Sequence, residues 1–405
     1  MTRDIRVLTS EDELIEAGNI FRTAMIGFPP LNEQQRRLIG KLLEPGRTLG
    51  LFADGRLAAT ADSTTSTLTL PGGARVSHAA VTHVGVLPSH TRRGIATELL
   101  HHQLRDIAGR GEVLASLRAS EATIYERFGY AVATTTATIE VRTDRAALRP
   151  GVTAGGPVRL LDPGQDWDVL PRIYATHRGP RPGSIDRNAT WWLNQQLRAE
   201  ANLGAKYVAV HGLPGEETGF VRYHPVDTDA WFTSDQRTVV VDDLFAPTEQ
   251  AYAGLLRFLL ELDLVDRLIF HLAPVDSPLA WLLTDRRAAR VTGLRDETWL
   301  RVVDVERALA QRTYSGTQTL TLQVDDPLLS HNSATYAISA GGTQTTTVRA
   351  QLVADIAALG AALLGGTSWS DLAAAGLVRV HDADALTAAD ELFAVPQAPH
   401  AGIYF

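Results

Sequence analysis

Apolar residues recur at helical spacing over residues 11–25, where Leu14, Ile15, Ala17, Ile20, Phe21 and Ala24 fall on one face. This predicts a helix ended by Phe28-Pro29-Pro30. A second helix is predicted over 31–43, stopped by Pro45-Gly46. Strands follow over 48–52 and 57–64, joined by the turn Ala53-Asp54-Gly55-Arg56, and a long strand over 76–86. Helical periodicity resumes at Gly94, with Ile95, Leu99, Leu100, Leu104 and Ile107 in register. A buried strand at 113–117 and a short helix over 120–129 complete a mixed sheet flanked by helices.

Two turn signals, Arg149-Pro150-Gly151 and Gly155-Gly156-Pro157, mark a linker. Beyond it the order repeats. Helices are expected over 167–175 and 188–197, strands over 207–211, 219–223 and 239–245, a helix over 248–262 and a strand over 268–271. A third region starts near Tyr314, with strands over 317–324, 335–338 and 343–349 and helices over 353–364, 368–375 and 384–392. The expected units are 1–143, 155–300 and 301–405.

Composition narrows the function classes. The 405 residues include no cysteine, which excludes disulfides, thiolate metal sites and a cysteine nucleophile. The formal charge of −8 argues against a nucleic-acid partner and suits a cationic substrate. No apolar run is long enough to span a membrane, and the N-terminus lacks a signal core, so a cytoplasmic location is expected. His101 and His102 are adjacent and cannot share a helix face, so no metal site is expected.

The most informative stretch is 79–97. A β-rich run stops at Pro88, a basic turn with Arg92 and Arg93 follows, and Gly94 opens a helix. Free N–H groups and the dipole at a helix start attract anions, and glycine lets the backbone approach a phosphate. The spacing is neither that of a P-loop nor that of a dinucleotide fingerprint. Taken alone, such a turn is also an ordinary strand-to-helix connection.

The window Thr91-Arg92-Arg93-Gly94-Ile95-Ala96 resembles the pyrophosphate loop of the GNAT superfamily of N-acetyltransferases, with Thr91 where that loop carries Arg or Gln. The run Ile124-Tyr125-Glu126-Arg127-Phe128-Gly129-Tyr130 narrows this to the Eis family, the "enhanced intracellular survival" acetyltransferases, as do Trp191-Trp192, the stretch Trp299–Leu309 and the final Phe405. The resemblance covers the whole chain. It implies an α+β fold of tandem GNAT units, the second degenerate, plus a sterol-carrier-like third unit whose end reaches the active site.

It further implies acetyl-CoA as co-substrate, held by Val84, Gly85, Val86, Arg92, Arg93, Gly94, Ile95, Ala96 and Thr97, with the strand splayed at Gly85 or Val86. Tyr125 is the implied acid for the leaving thiolate, and the Phe405 carboxylate the group that receives the amine's proton or orients its ammonium. Phe28 and Glu121 are candidate acceptor-binding residues. Each also has a plainer reading: Tyr125 and Phe28 as core aromatics, Glu121 as a solvated acid in a first helical turn. In the second unit, Asp242-Asp243 stand where the phosphate loop would be, so no coenzyme is expected there.

The expected activity is N-acetylation of a small cationic polyamine such as an aminoglycoside, an antibiotic-resistance activity, by a homohexamer. A protein-lysine acetyltransferase and a non-catalytic hydrophobic-ligand-binding protein stay open as alternatives.

Overall fold

The computed structural model describes residues 2–201 and 204–404. The first unit runs β1 (Arg3–Val7), α1 (Glu11–Ala24), α2 (Glu33–Arg37), α3 (Ile39–Leu42), β2 (Leu49–Ala53), β3 (Arg56–Thr69), β4 (Arg75–Val86), α4 (Ile95–Gly109), β5 (Leu114–Leu117), α5 (Ala122–Tyr125) and β6 (Ala131–Arg142). The second runs β7 (Val158–Leu160), α6 (Asp166–His177), α7 (Ala189–Ala201), β8 (Tyr207–His211), β9 (Gly219–Val226), β10 (Thr238–Phe245), α8 (Glu249–Leu260), β11 (Arg267–Pro274) and β12 (Ala289–Val302). The third adds β13 (Leu320–Asp325), β14 (Ala334–Ser339), β15 (Gly342–Thr345), β16 (Leu352–Asp355) and β17 (Val378–Val380), with helices Ile356–Leu363, Trp369–Ala374 and Asp384–Phe393. The expected α+β architecture, two sheet-and-helix units and a smaller third, is what forms.

The first two units share one sheet, in the order β1-β2-β3-β4-β5-β12-β6-β11-β10-β9-β8-β7. β12, late in the chain, inserts between β5 and β6: Trp299–Val302 pair with Leu117–Leu114, and the rest of the strand pairs with β6. β6 in turn pairs with β11. The halves are therefore joined by backbone hydrogen bonds as well as by packing.

Two expected elements differ. The helix over 31–43 is broken at Leu38, whose backbone (φ −104°, ψ 7°) leaves the helical basin between α2 and α3. The helix expected from 353 starts only at Ile356, because Leu352–Asp355 pair as β16 and the Asp355 carboxylate caps the Ala358 N–H at 2.8 Å. Strands β1, β6, β7, β12 and β17 have no counterpart in the periodicity reading.

Burial follows the predicted faces. Ile95, Leu99, Leu100, Leu104 and Ile107 of α4 are all buried, and so are Leu14, Ala17 and Ile20 of α1. Each large apolar side chain removed from water stabilises by about 1.5–3 kcal/mol. Ser10 and Glu13 form a capping box that fixes where α1 begins. The interior of the third unit is filled by Tyr336, Ile338, Leu359, Trp369 and Phe393.

Candidate active site

β4 and β5 run parallel from His78/Leu114 to Ala80/Ser116 and then part. The divergence begins earlier than Gly85 for a visible reason. Between Thr60/Gly85 and Asp62/Thr82 the β3–β4 register slips, so His83 and Val84 together oppose one residue of β3. His83 takes φ +49°, and this bulge bends β4 away from its neighbour. Leu87 N–H donates to Ala58 carbonyl, so the next pair along, Ala59/Val86, is of the non-hydrogen-bonded kind. The N–H of Val86 therefore turns away from β3, toward the gap that β5 leaves. Gly85 has a packing role: a Cβ there would lie 3.0 Å from Phe21 Cα and 3.1 Å from Ala24 Cβ, so its absence lets α1 lie on β4.

The basic loop sits at the end of β4. Pro88–His90 form one 3₁₀ turn, and Thr91 Oγ1 donates to Pro88 carbonyl at 3.0 Å. Thr91 thus closes the turn and leaves ligand contact to its neighbours. Arg92 (φ +60°) and Gly94 (φ +79°) are both left-handed, and α4 starts with no side-chain cap. The first N–H groups of α4, on Ile95, Ala96 and Thr97, therefore face outward without an intrahelical partner. The Ile95 side chain itself is core, so only its backbone is available to a ligand. Arg3, on β1, donates to the Arg93 carbonyl at 2.6 Å and pairs with Glu98 at 2.9 Å, bracing the loop. Its contribution is not visible from the sequence, since it lies some 90 residues away.

Tyr125 is buried at the end of α5 and packs edge-on against Tyr130. Burial pushes its pKa above the ordinary phenol value, against a small opposing effect of the Ser120 hydroxyl. A buried phenol of this kind stays protonated at neutral pH. Its seat explains the motif around it. Arg301, fully buried on β12, donates from Nε to the Phe128 carbonyl (2.8 Å) and is held by both oxygens of buried Asp326 at 2.8 Å. A Cβ at Gly129 (φ +81°) would lie 2.7 Å from Arg301 Nε, so only glycine permits this approach. Glu121 is exposed at the N-cap of α5 and makes no side-chain cap.

Phe28 is half-exposed and stacks on Phe21, whose ring meets His83 edge-on at 4.8 Å. His83 Nδ1 stands 3.5 Å from Asp62, a buried carboxylate that accepts from Thr48 Oγ1 at 2.9 Å. Periodicity singles out neither His83 nor Asp62, because the bulge that brings them together is invisible to it.

The chain's end is clamped against this site. Glu297 of β12, buried, accepts from Ala401 N–H (3.0 Å), Gly402 N–H (2.7 Å) and Thr134 Oγ1 (2.8 Å), with His400 Nδ1 at 3.3 Å. Burial raises its pKa, but His400 and these donors outweigh that and bring it down to about 2. Arg118, directly after β5, donates to the Ile403 carbonyl at 2.9 Å and lies over the Tyr404 ring at 3.8 Å. Trp191 Nε1 donates to the Tyr404 carbonyl. Phe405 lies outside the described residues.

In the second unit Asp242 and Asp243 belong to strand β10, not to a loop before α8. Asp243 is bound bidentately by buried Arg187 (2.6 and 3.0 Å), and Asp242 pairs with His224 at 2.8 Å. The true turn, Ala246-Pro247-Thr248, has no glycine, and Thr248 caps α8 with its own hydroxyl. Its first turn is therefore built differently from the open start of α4.

Comparison with known proteins places this geometry. Residues 4–133 and 183–302 each match an acetyltransferase (GNAT) domain, and residues 305–402 match a sterol carrier protein domain. An uncharacterized N-acetyltransferase of Streptomyces avermitilis is 35% identical over 98% of both chains. The N-acetyltransferase Eis of Mycobacterium tuberculosis is 34% identical over 81% of this chain and 80% of its own. The crystal structure of Eis1 from Mycobacterium abscessus covers both chains fully at 47% identity, with a TM-score of 0.92. No helix among the described residues is long and apolar enough to cross a membrane.

Proposed function

The chain belongs to the Eis family of N-acetyltransferases, and from that premise we propose that it carries the acetyl group of acetyl-CoA to an amine of a small cationic polyamine. Aminoglycosides are the first acceptor class to test. The observation that carries the reading is that Tyr125 packs in one apolar cluster with Val81 of β4 and Leu117 of β5, beside the gap where these strands part, while Arg118, next along from Leu117, binds the tail at Ile403.

In this account the loop at Arg92–Thr97 holds the coenzyme's pyrophosphate through backbone N–H groups, and Val84–Val86 align its pantetheine arm. The amine attacks the thioester directly. A C–N bond forms, the carbonyl oxygen gathers charge beside the Val86 N–H, and the C–S bond then breaks. Tyr125 gives its proton to the departing thiolate. The Phe405 carboxylate takes the ammonium proton, directly or through water, and orients the amine. No covalent enzyme intermediate is required, in keeping with a chain without cysteine. Phe28 and Glu121 border the acceptor, and a cytoplasmic homohexamer is part of the same reading.

The filled interior of the third unit supports a structural role for it rather than ligand carriage. The test is thiol release from acetyl-CoA with a panel of aminoglycosides, simple polyamines and lysine peptides. Turnover confined to the polyamines supports the proposal. Turnover confined to the peptides replaces its acceptor class, and light scattering weighs the assembly.

A further inference from the structure

The second unit repeats the strand divergence of the first. β10 and β11 are paired in parallel from Thr238/Arg267 to Val241/Phe270 and then separate. Bulges fall at the same level, at Asp242 in the β9–β10 ladder and at His271-Leu272 in the β11–β6 ladder. A cleft of about 380 Å³ opens there, and Gly402–Tyr404 of the tail form one of its walls. That is within the size range of small-molecule sites.

Its lining is basic. Arg198, Lys206, Arg222 and Arg295 contribute four cations, against the two acids Asp242 and Asp243. Asp243 is paired with Arg187, and Asp242 is hydrogen-bonded to His224. Arg198 and Arg295 are exposed and have no hydrogen-bond or ion-pair partner among the described residues. The concentration of positive charge is not a by-product of composition, since the chain carries a formal −8. Like charges gathered in a concave site focus the field and draw counter-ions. A polycation finds no partner here, whereas guanidinium forks match the oxygens of phosphate and carboxylate.

We propose that this cleft is a binding site for a small multivalent oxyanion, held by Arg198, Arg222 and Arg295. The ligand would lie against Gly402–Tyr404, so its occupancy would be felt by the residues that precede the chain's terminal carboxylate. The site is distinct from the phosphate loop at Gly94 and does not depend on the proposed acceptor.

Calorimetry tests this with inorganic pyrophosphate titrated into the full chain under saturating acetyl-CoA, which occupies the Gly94 loop. One pyrophosphate is expected to bind per chain, with affinity at least tenfold weaker in Arg198→Ala/Arg295→Ala and unchanged in Arg92→Ala/Arg93→Ala. Citrate in place of pyrophosphate separates oxyanions in general from phosphates alone. Amide exchange at Ile403 and Tyr404 is expected to slow on binding. Both substituted arginines are exposed, and thermal melting checks that the fold survives. No binding, or equal binding by the Arg198/Arg295 variant, overturns the proposal, as does loss of binding in the Arg92/Arg93 variant. The test rests on the proposed coenzyme site only to block the Gly94 loop, and since the readout needs no turnover, a failure of the acceptor or acid assignment leaves it intact.

Discussion

Glu297 is buried, yet it holds its charge down to about pH 2, because two tail N–H groups, the Thr134 hydroxyl and His400 converge on it. A carboxylate whose pKa is depressed on folding stabilises fully above its ordinary value near 4.3, and that contribution is lost as pH falls through the folded value. The Glu297 contribution to tail docking is therefore expected to be lost as pH falls from about 4 to about 2. Trp191, which donates to the Tyr404 carbonyl, offers a fluorescence reading of this. Glu297→Gln should remove the pH step while loosening the tail at all pH values. Tyr125 is the proposed acid. Tyr125→Phe keeps the buried ring and loses the proton, so turnover is expected to fall about 10²-fold or more while coenzyme affinity holds. Equal turnover in that variant ends the acid assignment.

At the scale of elements, the start of α4 is tuned by backbone conformation. A Cβ at Gly94 would meet nothing nearer than Arg3 Nη1 at 4.0 Å, so the fold has room for alanine, but φ +79° does not suit it. Gly94→Ala is expected to cost about 1 kcal/mol of stability and to raise KM for acetyl-CoA more than it lowers kcat. The seat of α5 depends on a single buried ion pair. Arg301→Met leaves Asp326 without its cation and is expected to destabilise by about 3–5 kcal/mol in chemical denaturation. The double change Arg301→Met/Asp326→Leu is not expected to recover that loss, because Asp326 also accepts from the Leu328 and Leu329 N–H groups and from Asn332 Nδ2, which would lose their partner.

These two elements also mark what could be read from the chain. The loop and the Ile124–Tyr130 motif are local, with turn, glycine and helix start within a few residues, so the turn is visible as a pattern and the motif through its resemblance to the family. Arg118 meets the tail across 285 positions, and Arg3 meets Glu98 across 95. No periodicity encodes such pairings. β12 was hidden for a related reason: its first half, with Val291 and Leu294 exposed, lacks the apolar alternation of a half-buried strand. The bulge at His83 is a slip of one residue, which an alternating pattern cannot reveal.

At the scale of the molecule, the three units are organised around the end of the chain. β12 of the second unit completes the sheet of the first, bears Arg301 against the Phe128 carbonyl and bears Glu297 against the tail. The third unit delivers that tail. A chain built this way brings its last described residues back against Arg118 of the first unit, and the proposed mechanism gives that arrangement a role in the reaction through the terminal carboxylate. The most direct test is to delete Phe405 alone and measure thiol release with an active amine alongside acetyl-CoA affinity. The account predicts that turnover collapses while acetyl-CoA still binds as in the full chain. Unchanged turnover would contradict it and reduce the docked tail to a packing element.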